Sequence, residues 1–150
     1  MEVDEEMNEM LTLNATDVRK EWSMVIDNVV REKPQFIRRT RDYMMLADID
    51  FLKILLEPYT FQAKKFYEED RSITLELSEI DLVVNAESEQ EAIEKMAQEI
   101  IEYAEEFYSE FNFWSVAPNR KAHIPYVFKA LILDDVKKIG ELIICQDGEN

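Results

Sequence analysis

The sequence predicts an α+β protein built as two successive halves, β-α-β-β-α over residues 10–58 and β-β-β-α with closing helices over residues 59–150. Three observations predict this. Apolar residues recur at spacings of three and four over 15–32 and again over 93–111, the period of an amphipathic helix. Short apolar runs bounded by polar turns lie between those segments, as hairpin strands do. Pro34 and Pro58 punctuate the first half, each at the end of a helical pattern.

Residues 1–9 form an acidic leader, and "MLTL" is a short strand candidate. In "NATD", Asn14 is placed to accept from the early helix amides and Asp17 to reach back, a capping-box arrangement. Val18, Trp22, Val25, Ile26, Val29 and Val30 then give one apolar face, expected to be buried. Lys33-Pro34 ends the helix. "QFIRR" and "YMML" flank "TRD" as a β-hairpin that lacks the glycine such turns favour. Asp48 caps a second helix with Ile49, Leu52, Leu55 and Leu56 on one face, and Pro58 stops it.

The second half opens with a hairpin, "TFQAKKFYEEDRSITLEL", and a third strand, "IDLVVNA". Ser88 with Glu91 repeats the capping box ahead of the longest helix, whose apolar face runs from Ile93 to Phe111. A polar loop lies around Pro118 and Pro125. "PYVFKALIL" and "VKKIGELII" then read as two closing helices. Trp114, Tyr126 and Phe128 read as core rather than as a docking surface.

Composition narrows the function. No apolar run approaches the roughly twenty residues a membrane-spanning helix needs. The opening "MEVDEEMNEM" lacks the basic start and apolar stretch of a signal peptide, so a cytoplasmic protein without membrane contact is expected. The formal net charge of -16 is uneven. Residues 1–13 hold five acids and no base, residues 14–60 eight of each, and residues 61–150 twenty acids and nine bases. Only the balanced segment could approach nucleic acid without repulsion.

Catalytic signatures are sparse. The single histidine, His123, and the single cysteine, Cys145, could in principle pair, but a cysteine inside "LIIC" reads as an inert buried thiol. No His/Cys spacing supports zinc, and neither glycine, Gly140 or Gly148, opens a phosphate loop. Asp81 and Glu76 are catalytic candidates by location alone. A non-enzyme that needs no metal and no cofactor is expected.

The basic residues are concentrated instead. Arg31, Lys33, Arg38, Arg39 and Arg41 fall close together with one acid, Glu32, among them, and Arg19 and Lys20 stand in the first helix. Neighbours on a strand point to opposite faces, so Arg38 and Arg39 cannot both be buried. Guanidinium groups match phosphate oxygens and guanine edges. The competing reading pairs these arginines with Asp42, Asp48 and Asp50 on a solvated edge.

Over residues 10–58, "NATDVR", "PQFIRR", "YMML" and "ADIDFLKILL" resemble, in order and spacing, the N-terminal domain of the Phd/YefM antitoxins. That resemblance implies a homodimer or higher homo-oligomer that binds operator DNA and represses its own operon. Carried over by position, it places Arg19, Arg38 and Arg39 on the DNA, and the basic cluster adds Lys20 and Arg41 as DNA-binding candidates. Residues 61–111 are similar in layout to the HicB antitoxin core, a partial RNase H-like fold, with "S-x-x-E-A" opening the long helix. Together the resemblances imply an antitoxin of a type II toxin–antitoxin system. Its partner would be a cognate toxin, a basic ribonuclease, masked by the acidic second half. The alternative is a protein-interaction module of the same fold without DNA binding.

Overall fold

A computed structural model describes residues 11–148, so the acidic leader lies outside the described residues. The chain divides into two compact units, residues 1–55 and 56–150, and each is described by itself.

In the first unit, strand β1 (Thr12–Asn14) leads into helix α1 (Ala15–Lys20). The Asn14 side chain accepts from the Thr16 amide at 2.7 Å, satisfying one of the amides a helix start leaves open. The helical run breaks at Glu21, where φ and ψ are -114° and 34°, and resumes as α2 (Trp22–Arg31). Neither proline nor glycine marks that break. Strands β2 (Gln35–Arg39) and β3 (Asp42–Leu46) form the expected hairpin, with Arg39 opposite Asp42. β1 pairs parallel to β2, giving a three-stranded sheet in the order β1-β2-β3. Helix α3 (Ile49–Leu56) follows and buries no residue.

The core of this unit is small. Val18, Val25, Val29 and Ile37 are buried, with Ala15 and Leu46 packed against them. The single buried face expected of the first helix is therefore half wrong. Trp22, Ile26 and Val30 are exposed at 49%, 38% and 58%. They follow one another at i, i+4 and i+8, a second apolar stripe that the chain's own core does not cover.

The second unit is better packed. β4 (Phe61–Tyr67), β5 (Ile73–Leu77) and β6 (Leu82–Ala86) form an antiparallel meander. Helix α4 (Glu89–Ser109) starts at Ser88, whose hydroxyl accepts from the Glu91 amide at 3.2 Å. A short helix α5 (Phe111–Trp114), a turn of 3₁₀ helix at Lys121–His123, α6 (Ile124–Leu133) and α7 (Val136–Leu142) follow. A last strand among the described residues, β7 (Ile143–Asp147), runs parallel to β4. This corrects the helical C-terminus expected for residues 59–150. In "LII", Leu142 closes the helix and Ile143 and Ile144 open the strand, because Ile143 finds Phe61 as its register partner and β7 adds to the sheet's edge beside β4. The sheet order is β6-β5-β4-β7.

Met96, Ala97, Ile100, Ala104 and Phe107 from α4 cover Phe61, Leu75 and Leu77 of the sheet, and all are essentially inaccessible. Lys65 joins the start of α4 to β4 through Glu89 at 3.1 Å. Lys129, on α6, donates to the carbonyls of Leu56, Glu57 and Tyr59, fastening the entry of this unit. No helix among the described residues is long and apolar enough to cross a membrane.

Candidate nucleic-acid interface

The basic residues of the first unit do not form one cluster. Arg19 and Lys20 occupy the last turn of α1, because the helix breaks immediately after them. They complement its carbonyl end instead of extending an open N-terminus, whose Thr16 amide Asn14 already holds. Arg38 and Arg39 separate as strand neighbours must. Arg39 shares its face of β2 with buried Ile37, and its guanidinium pairs with Asp42 at 2.7 Å. Arg38 lies in a polar cleft of about 510 Å³ with Thr12, Leu13, Asn14 and Thr40. Arg41 is exposed at the hairpin turn.

The turn that presents Arg41 is strained. Thr40 adopts φ 53°, the left-handed region that glycine normally supplies. Among the described residues, Arg39 alone of these five cations forms an ion pair; Arg19, Lys20, Arg38 and Arg41 form none. The solvated-edge reading therefore holds for one arginine. Of the other two acids in that reading, Asp50 lies near Lys53 at 4.0 Å, and Asp48 forms no ion pair among the described residues.

Beside Arg19 and Arg39 the structure opens an apolar cleft of about 610 Å³, lined also by Val18, Trp22, Ile37, Met44 and Leu46. Met44 and Met45 are exposed at 45% and 40%, so of "YMML" only Leu46 packs against the core. Sequence reasoning missed this cleft. Its signal was present in the excess of apolar positions over what so short a unit can bury.

The second unit gathers its titratable groups elsewhere. The Tyr103 hydroxyl lies 2.7 Å from Nδ1 of His123, which is only 4% exposed. Asp81 sits 3.6 Å from His123 Nε2 and 3.5 Å from the Arg120 guanidinium. Burial, reinforced by Arg120, pushes the His123 pKa down, and burial pushes the Tyr103 hydroxyl up. Cys145 is half-buried on β7, with its thiol pushed up by burial, and Glu76 stands exposed on β5. This cluster fastens the β5–β6 turn to the segment before α6. Among the described residues, no group of three or more His, Cys, Asp or Glu side chains is arranged to hold a metal ion.

Comparison with known proteins follows the same lines. Residues 7–145 match the model of a PHD-like family described as the antitoxin of a toxin–antitoxin, RelE/RelB system. A crystal structure from Syntrophomonas wolfei subsp. wolfei, described as an antitoxin part of a candidate toxin/antitoxin system, superposes with a TM-score of 0.87 at 36% identity. The match covers 91% of this chain and 99% of that one. No curated protein matches. With the family pattern spanning both units, the chain belongs to the PHD-like antitoxins of toxin–antitoxin systems.

Proposed function

We propose that this antitoxin represses its own operon as a dimer of Phd/YefM type and masks a basic toxin, a ribonuclease, with its acidic second unit. One observation carries the reading. Among the described residues the first unit buries only four side chains while displaying Trp22, Ile26, Val30, Met44 and Met45, and Arg19, Lys20, Arg38 and Arg41 stand in no ion pair. A unit with so small a core gains stability by burying its exposed stripe against a second copy. Pairing doubles the cations available to DNA, as a symmetric operator requires. Arg38 and Arg41 then contact phosphates or bases, and Arg19 and Lys20 steady the backbone.

The second unit's role rests on charge. Residues 56–150 carry 21 acids and nine bases, a net of -12, which suits a partner whose own task is to hold RNA. Its mixed sheet, with helices between β6 and the returning β7, supports the HicB-like resemblance. Masking a partner requires no catalysis, so the protein acts in the cytoplasm as a binding protein and not as an enzyme.

A gel-shift on the protein's own promoter tests the repressor reading. Retardation at low salt that Arg38→Ala/Arg41→Ala abolishes supports it, and no retardation by the wild type sinks it. A second reading, a protein-interaction module without DNA binding, is favoured by the Arg39–Asp42 ion pair and the net charge of -16. That reading gains if the wild type leaves the promoter unshifted yet still binds its toxin.

A further inference from the structure

Helix α4 breaks a local rule at its C-terminal end. The last turns of a helix expose unpaired carbonyls that favour cations, and here that end carries Glu105 and Glu106, with Glu110 as the C-cap and no basic residue in the last turn. All three are exposed, and among the described residues none of them forms an ion pair. The molecule tolerates a local electrostatic cost where it could have placed a lysine. Such local violations are expected where function requires them.

The same place displays apolar side chains. Tyr108, Phe113 and Val116 are exposed at 59%, 64% and 81%. Their supports are rigid. Tyr108 meets Phe128 edge-on with ring centroids 6.1 Å apart, and Phe113 meets Trp114 edge-on at 5.2 Å. Trp114 stacks in turn on Phe107, a core residue only 1% exposed, at 6.3 Å. These rings are held in place before any partner arrives, so docking on them costs little side-chain entropy. The cation at this end, Arg120, lies over the Trp114 ring at 5.8 Å and is paired with Asp81, which leaves the three glutamates as charge for a partner. Exposed aromatic anchors beside unpaired carboxylates have the anatomy of a protein interface, and the carboxylates specify a basic partner.

We infer that the C-terminal end of α4 and the turn after it form the surface on which the cognate toxin docks: Tyr108, Phe113 and Val116 enter an apolar patch of the toxin, and Glu105, Glu106 and Glu110 meet its RNA-binding cations. This rests on the proposal that the second unit masks a basic toxin, and it names the place where masking occurs.

The test uses the full chain and, as probe, the purified product of the gene adjacent to it in its operon. Phe113→Ser/Val116→Ser should weaken binding about thirtyfold, and Glu105→Lys/Glu106→Lys about tenfold. The control Glu68→Lys/Glu69→Lys changes net charge equally on the β4–β5 turn and should leave affinity within about twofold. The Glu105→Lys/Glu106→Lys protein should melt no lower than wild type, since the change relieves the helix end. Wild-type affinity in both patch variants, or equal weakening by the control, overturns the docking surface and leaves the masking reading intact. A wild type that fails to bind the probe overturns the masking reading itself.

Discussion

At Thr40 a β-branched residue holds φ 53° to close the hairpin between Arg39 and Asp42. The sequence showed that a turn glycine was missing; that the hairpin forms regardless, with threonine in the left-handed region, was not legible, because strain is set by the strands on either side. Thr40→Gly should therefore stabilise the first unit by about 0.5 kcal/mol, the relieved strain exceeding the added chain entropy, as read by chemical denaturation. His123 makes a prediction of opposite kind. Its folded pKa is lowered from 6.5 by burial and by Arg120, so the unfolded chain binds its proton more readily. The stability this neutral histidine contributes is present above pH 6.5 and is lost as pH falls toward the depressed folded value. Melting temperature should decline on acidification from pH 7 to 5, and His123→Gln should flatten that part of the profile. Sequence alone offered the histidine as a possible catalytic partner of Cys145. Burial beside Tyr103 and Asp81 was invisible there, since the three approach only through the tertiary fold.

Among the elements, α4 was legible because two independent signals agreed: a capping box at Ser88 and a long apolar periodicity. The Ser88 hydroxyl holds the Glu91 amide, so Ser88→Ala should cost about 1 kcal/mol in equilibrium unfolding. β7 was not legible. Its residues continue a helical run without a turn signal, and they become a strand only because Phe61, Gln62 and Ala63 offer register partners across the chain. The first helix failed in a different way. Periodicity marks a face as apolar but cannot tell whether the chain's own core or another molecule covers it. Val18, Val25 and Val29 took the core, and Trp22, Ile26 and Val30 were left outside. The basic hairpin was read correctly as a hairpin, while the split of its arginines between a polar and an apolar cleft followed only from the register.

For the whole molecule, the proposed function gives the charge-balanced segment, residues 14–60, to DNA and the acidic second unit to toxin. Ile26→Glu should convert a dimer to a monomer in light scattering coupled to size exclusion, because it places charge in the exposed stripe. The same variant should lose operator binding by at least about tenfold while its acidic unit stays folded. The most direct test of the central claim is the salt dependence of operator binding, measured by fluorescence anisotropy for wild type and Arg38→Ala/Arg41→Ala. If both arginines contact phosphate in each protomer of a dimer, the slope of log K against log salt should fall by about three to four in the variant. An unchanged slope with unchanged affinity would contradict the account.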